Sequence, residues 1–81
     1  MSFLASSEQA LIQLICDIAR RAEVHPHERL DSDLGLQSLQ VMQLIVKIET
    51  VFDIEFPDSM LNTLSTNTVA ELIEIVESLC Q

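Results

Sequence analysis

The chain reads as an all-α protein: a small antiparallel four-helix bundle, with three longer helices, one short one, and a long loop between the first and second. Three observations predict this. Apolar residues recur at helical spacing in three separate stretches. One Gly and two Pro among 81 residues leave few places for β-turns. The 48% hydrophobic content comes mostly from Leu, Ile and Val, with three Phe and no Trp or Tyr, so the core is aliphatic. This length suits a single domain spanning residues 1–81.

The first helix is expected to start near Ser6, where Ser6 and Gln9 have the spacing of a capping box. Leu11, Leu14, Ile15 and Ile18 then form one helical face, and Arg20 and Arg21 fall where cations favour the end of a helix. The run His25-Pro26-His27 breaks the helix, because a residue before proline is driven out of helical conformation. A connection from about Val24 to Gln37 follows. Val24, Leu30, Leu34 and Leu36 along it predict that it packs on the bundle.

The second helix is predicted from Ser38 to about Phe52. Val41, Ile45, Ile48 and Phe52 make its core stripe, and Gln40, Gln43, Lys47 and Thr50 its polar stripe, with Met42, Val46 and Glu49 between. Ile54 and Phe56 alternate with acids, which suits an extended segment pinned by two apolar side chains. Asp58 to Leu64 reads as one or two helical turns. The last helix begins near Thr68, where Thr68 and Glu71 form a second capping box ahead of Val69, Leu72, Ile73 and Val76.

The charge is lopsided. Thirteen Asp and Glu oppose four Lys and Arg, for a net charge of −9. Between residues 48 and 81 there are seven acids and no base. Nucleic acid is excluded as a partner, since phosphate backbones are held by Lys and Arg. No apolar run is long enough to span a membrane. Cys16 and Cys80 both fall on apolar helix faces, as expected of buried thiols in a reducing compartment. With no secretory leader pattern at the N-terminus, the expected location is the cytoplasm, and the expected state is a monomer.

Ser38 stands out for chemistry. It lies in Asp33-Leu34-Gly35-Leu36-Gln37-Ser38-Leu39, where a polar loop turns into a helix, three residues after the only glycine. Helix starts carry unpaired N–H groups and the positive end of the dipole, which favours phosphate there. Taken alone, Ser38 is an ordinary N-cap. No base is placed to activate it as a nucleophile: the only histidines, His25 and His27, sit in the preceding loop. Two loop histidines do not define a metal site. Asp31-Ser32-Asp33-Leu34-Gly35 begins like a calcium loop, but the glycine is one position early and Met42 stands where the closing Glu belongs. No catalytic constellation is present, so the chain is not expected to be an enzyme.

That heptapeptide resembles the attachment motif of acyl and peptidyl carrier proteins, which usually reads Asp/Glu-Leu-Gly-x-Asp-Ser-Leu. The likeness continues through Val41 to Pro57 and again at Thr68-Val69-Ala70-Glu71-Leu72, covering roughly Ser6 to Leu79. The resemblance implies that Ser38 receives 4′-phosphopantetheine from coenzyme A through a phosphopantetheinyl transferase. The arm's thiol then holds acyl or aminoacyl groups as thioesters, loaded by a ligase and used by synthases or acyltransferases. It also implies docking through the second helix and the loop before it, which here places Leu36, Gln37, Leu39, Gln40, Met42, Gln43, Val46, Lys47 and Glu49 at the partner surface. The chain departs from the family where Gln37 replaces the usual Asp and where Gln40, Gln43 and Lys47 replace a largely acidic stripe. These departures suggest a carrier for a specialised fatty-acyl, polyketide or peptide pathway and not a housekeeping fatty-acid synthase. The alternative is a small acidic helical adaptor, or a degenerate carrier, with no prosthetic group and with Ser38 as a cap only.

Overall fold

The computed structural model describes residues 5–80, with side chains from residue 7 onward. Four α-helices follow one another: α1 Ala5–Ala19, α2 Ser38–Phe52, α3 Asp58–Leu61 and α4 Val69–Cys80. A 3₁₀ turn, Leu64–Thr66, joins the last two, and the described residues form no strand. The all-α bundle and its long first loop are as expected. The proposed cap at Ser6 lies outside the described side chains.

Each helix contributes one apolar face to a single core. Leu11 and Ile15 of α1, Leu44 and Ile48 of α2, Leu64, and Leu72 and Val76 of α4 are all 0–1% exposed. Leu14, Ile18, Met60, Leu61 and Ile73 pack half-buried around them. Leu44 belongs to the α2 stripe although the sequence reading omitted it: it lies three residues after Val41 and four before Ile48, on the same face. Phe52, expected in that stripe, sits at its edge, half-buried. Ile54 and Phe56 do pin the segment after α2, with Phe56 buried and its N–H held by Glu49 Oε2 at 2.9 Å. Asp53 turns the chain out of α2 in a left-handed conformation, φ 54°, which Asp tolerates better than most residues.

The end of α1 corrects the sequence reading. Arg20 and Arg21 lie past the helix. Arg20 takes φ 58°, and Arg21 reaches across the loop instead of serving the helix dipole. Its Nη1 donates to Glu28 Oε2 at 3.1 Å and its Nη2 to the Asp33 carbonyl at 2.7 Å. Glu28 Oε1 accepts the His25 N–H at 2.7 Å, so one nearly buried carboxylate holds two donors. The loop's other side is tied to the start of α4. Leu30 N–H donates to the Asn67 carbonyl, Asp31 N–H to that of Ser65, Val69 N–H to that of Glu28, and Ala70 N–H to that of Pro26. Arg29 and Thr68 make an isolated antiparallel bridge. Leu30, Leu34 and Leu36 drive their side chains into the core beneath these bonds. The loop is therefore a structural layer, as its interspersed leucines predict.

Candidate functional site

The segment 33–38 shows why its residue types are needed. Asp33 Oδ2 accepts the Arg29 N–H at 2.8 Å and closes a turn, reinforced by the Asp33 and Leu34 N–H groups on the Arg29 carbonyl. Gly35 takes φ +70°, a conformation that costs L-residues about 1–2 kcal/mol. A Cβ there would meet nothing within 4 Å, so backbone conformation alone selects glycine. Leu34 and Leu36 on either side are buried, which anchors the turn. Leu36, named among the expected docking residues, has its side chain buried in the core here.

Ser38 is the first residue of α2, and Gln37 is the N-cap. This overturns the reading of Ser38 as an ordinary cap. Gln37 adopts φ −87° and ψ 167°, and its N–H is accepted by Gln40 Oε1 at 2.9 Å. Gln37 and Gln40 have the three-residue spacing of a capping box, a signal the sequence reading passed over. The Ser38 hydroxyl is exposed and makes no hydrogen bond to any described residue. It opens beside a cavity of about 250 Å³, also lined by Val41, Met42, Leu61, Asn62 and Ser65. The site is thus an uncommitted hydroxyl at the positive end of a 15-residue helix, on a loop bolted to the rest of the molecule.

For Asp31, desolvation pushes the carboxyl up, but the Ser32 N–H and the Arg29 guanidinium outweigh it and hold the group below its ordinary range. His25 and His27 stack with ring centroids 5.8 Å apart, both exposed, and His25 Nε2 lies 4.0 Å from Glu23 Oε1. Among the described residues no cluster of three His, Cys, Asp or Glu is arranged to hold a metal.

Of the other expected docking residues, Gln37, Leu39, Met42, Gln43, Val46 and Lys47 are exposed. Gln40 and Glu49 are half-buried and already engaged, one on the Gln37 N–H and one on that of Phe56. Cys16 is buried as expected, and Cys80, near the end of the last helix, is exposed. Burial first, then the charges of Asp17 and Glu23, raise the Cys16 pKa above the ordinary thiol value.

Comparison with known proteins agrees with this geometry. The family described as "Phosphopantetheine attachment site" matches residues 9–76. An acyl carrier protein of Prochlorococcus marinus (strain MIT 9515) is 28% identical over 78 residues, covering 89% of this chain and 95% of that protein. The family match takes in α2, the loop before it and most of α4, and it replaces the adaptor reading. The chain therefore belongs to the phosphopantetheine-attachment family, as a carrier protein with a covalently attached 4′-phosphopantetheine arm.

Proposed function

We propose that Ser38 is the residue that carries the arm, and that the chain serves as a non-catalytic acyl or aminoacyl carrier in a specialised pathway. The observation that carries this reading is the free Ser38 hydroxyl. A residue kept for capping would be hydrogen-bonded to the helix, but here Gln40 satisfies the cap and Ser38 Oγ bonds to no described residue. The residues also fit the group. A phosphodiester on Ser38 would lie at the helix start, where N–H groups and the dipole favour negative charge. When bound, the arm supplies a terminal thiol that holds cargo as a thioester.

The chain's own contribution is presentation. Gly35 and the buried Leu34 and Leu36 hold the segment before Ser38 in one conformation, and the bond from Arg21 Nη2 to the Asp33 carbonyl fastens that segment to the end of α1. A phosphopantetheinyl transferase would supply the base and the electrophile, so no base is required beside Ser38. Partner enzymes, namely that transferase, a loading ligase and the synthases or acyltransferases of one pathway, would meet the carrier across the exposed residues of α2. Gln37, Gln40 and Gln43 make this face less acidic than in the carriers it resembles, which supports dedicated partners. Function as a monomer in the cytoplasm accords with this reading; among the described residues no helix is long and apolar enough to cross a membrane.

The test is intact-mass measurement after incubation with coenzyme A and a broad-specificity phosphopantetheinyl transferase. One added arm is expected, with none on Ser38→Ala. Addition to the alanine variant, or none to either chain with several transferases, would sink the assignment.

A further inference from the structure

Ile18, Leu39, Met42, Gln43, Val46 and Lys47 line an open groove of about 520 Å³ between α1 and the outer face of α2. Leu39, Met42 and Val46 are 69%, 46% and 56% exposed, a concentration of apolar surface on one helix face. The rim is unlike the rest of the molecule. Gln43 is neutral, and Lys47 is the last base in the chain. Lys47 makes no ion pair or hydrogen bond with any described residue. Its helical neighbours at three and four residues are Gln43, Leu44, Thr50 and Val51, so no carboxylate on α2 stands where it could pair with the ammonium. On a chain of net charge −9, the apolar groove is edged by a cation that no described residue pairs.

Resting on the carrier reading above, we propose that this groove receives a partner-enzyme surface of defined chemistry: an apolar anchor flanked by a carboxylate that pairs with Lys47. Buried apolar anchors supply most of the affinity in such interfaces, and rim charges select the partner. A basic residue facing Lys47 would set like charges together as water is expelled, so partners with a basic rim are disfavoured here. The acids at Asp53, Glu55 and Asp58 beyond the end of α2 attract basic surfaces elsewhere on the molecule, which makes Lys47 the point of discrimination.

Two synthetic helical peptides with the same leucine face, one flanked by glutamates and one by lysines, test the proposal. Each is titrated into the isotopically labelled full chain, with and without its arm. The glutamate peptide should bind tighter by about fivefold or more. It should shift the amides of Leu39, Met42, Val46 and Lys47, and Lys47→Glu should reverse the preference. Met42→Ala should weaken both peptides. Net charge alone predicts the opposite order. Equal or reversed affinities, shifts centred outside the groove, or no binding of either peptide would overturn the proposal. The carrier reading is judged separately, by mass addition at Ser38, so either can fail while the other stands.

Discussion

The starts of α2 and α4 are built from similar parts and put to different uses. At α4, Thr68 and Glu71 cap reciprocally: the Thr68 N–H donates to Glu71 Oε1 at 2.8 Å, and the Glu71 N–H to Thr68 Oγ1 at 3.1 Å. The loop's Glu28 and Pro26 carbonyls then accept the Val69 and Ala70 N–H groups, so this helix start is consumed by the fold. At α2, Gln40 accepts the Gln37 N–H, and the hydroxyl next to it is left free at the surface. A helix start can thus serve as a joint or as a place for chemistry, according to whether neighbouring groups use up its polar atoms.

Four experiments would break or sharpen this contrast. The largest expected effect is on function: Ser38→Ala should abolish arm addition by intact mass while changing unfolding free energy by no more than about 0.5 kcal/mol, since the hydroxyl caps nothing. A loss of about 1 kcal/mol or more would mean that Ser38 does serve the helix. Next, Glu28→Ala should cost about 1–3 kcal/mol in urea unfolding, because the His25 N–H and the Arg21 guanidinium lose the nearly buried carboxylate that accepts from both.

A smaller, paired effect concerns the caps. Thr68→Ala should destabilise by about 1 kcal/mol. Gln37→Asp should stabilise by a few tenths of a kcal/mol, as Asp is a better cap and its charge favours a helix start. The same Gln37→Asp change should speed arm addition by a general transferase; an unchanged rate would show that Gln37 does not limit recognition. The smallest effect is on the thiols. Cys80 should be alkylated readily in the native protein and Cys16 slowly. The folded pKa of Cys16 is raised, so the unfolded chain releases its proton first, and the stability contribution is complete below the ordinary value of 9.0 and is lost as pH rises above it. Cys16→Ala should flatten that alkaline decline in thermal unfolding curves.

Much of this was legible in the residues. The bounds of α2, the Thr68–Glu71 box and the leucines that pack the first loop follow from local spacing, because helix periodicity and capping are short-range effects. The family was legible too, through the motif around Ser38. Less accessible were features that depend on what lies across space. Arg20 and Arg21 look like helix-end cations until Glu28 and the Asp33 carbonyl provide Arg21 with stronger partners.

By itself the sequence determined the helical class, the register of each apolar face and the residue types around Ser38, since all of these rest on contacts within a few positions along the chain. Only the tertiary structure decided which polar groups were already taken. It joined the first loop to α1 and α4 through bonds between distant residues. It assigned the α2 cap to Gln37 and Gln40, and it left Lys47 at the edge of an apolar groove with no carboxylate of a described residue to meet it. Whether a hydroxyl or an ammonium is free depends on every donor and acceptor within reach in space, and folding alone sets that list.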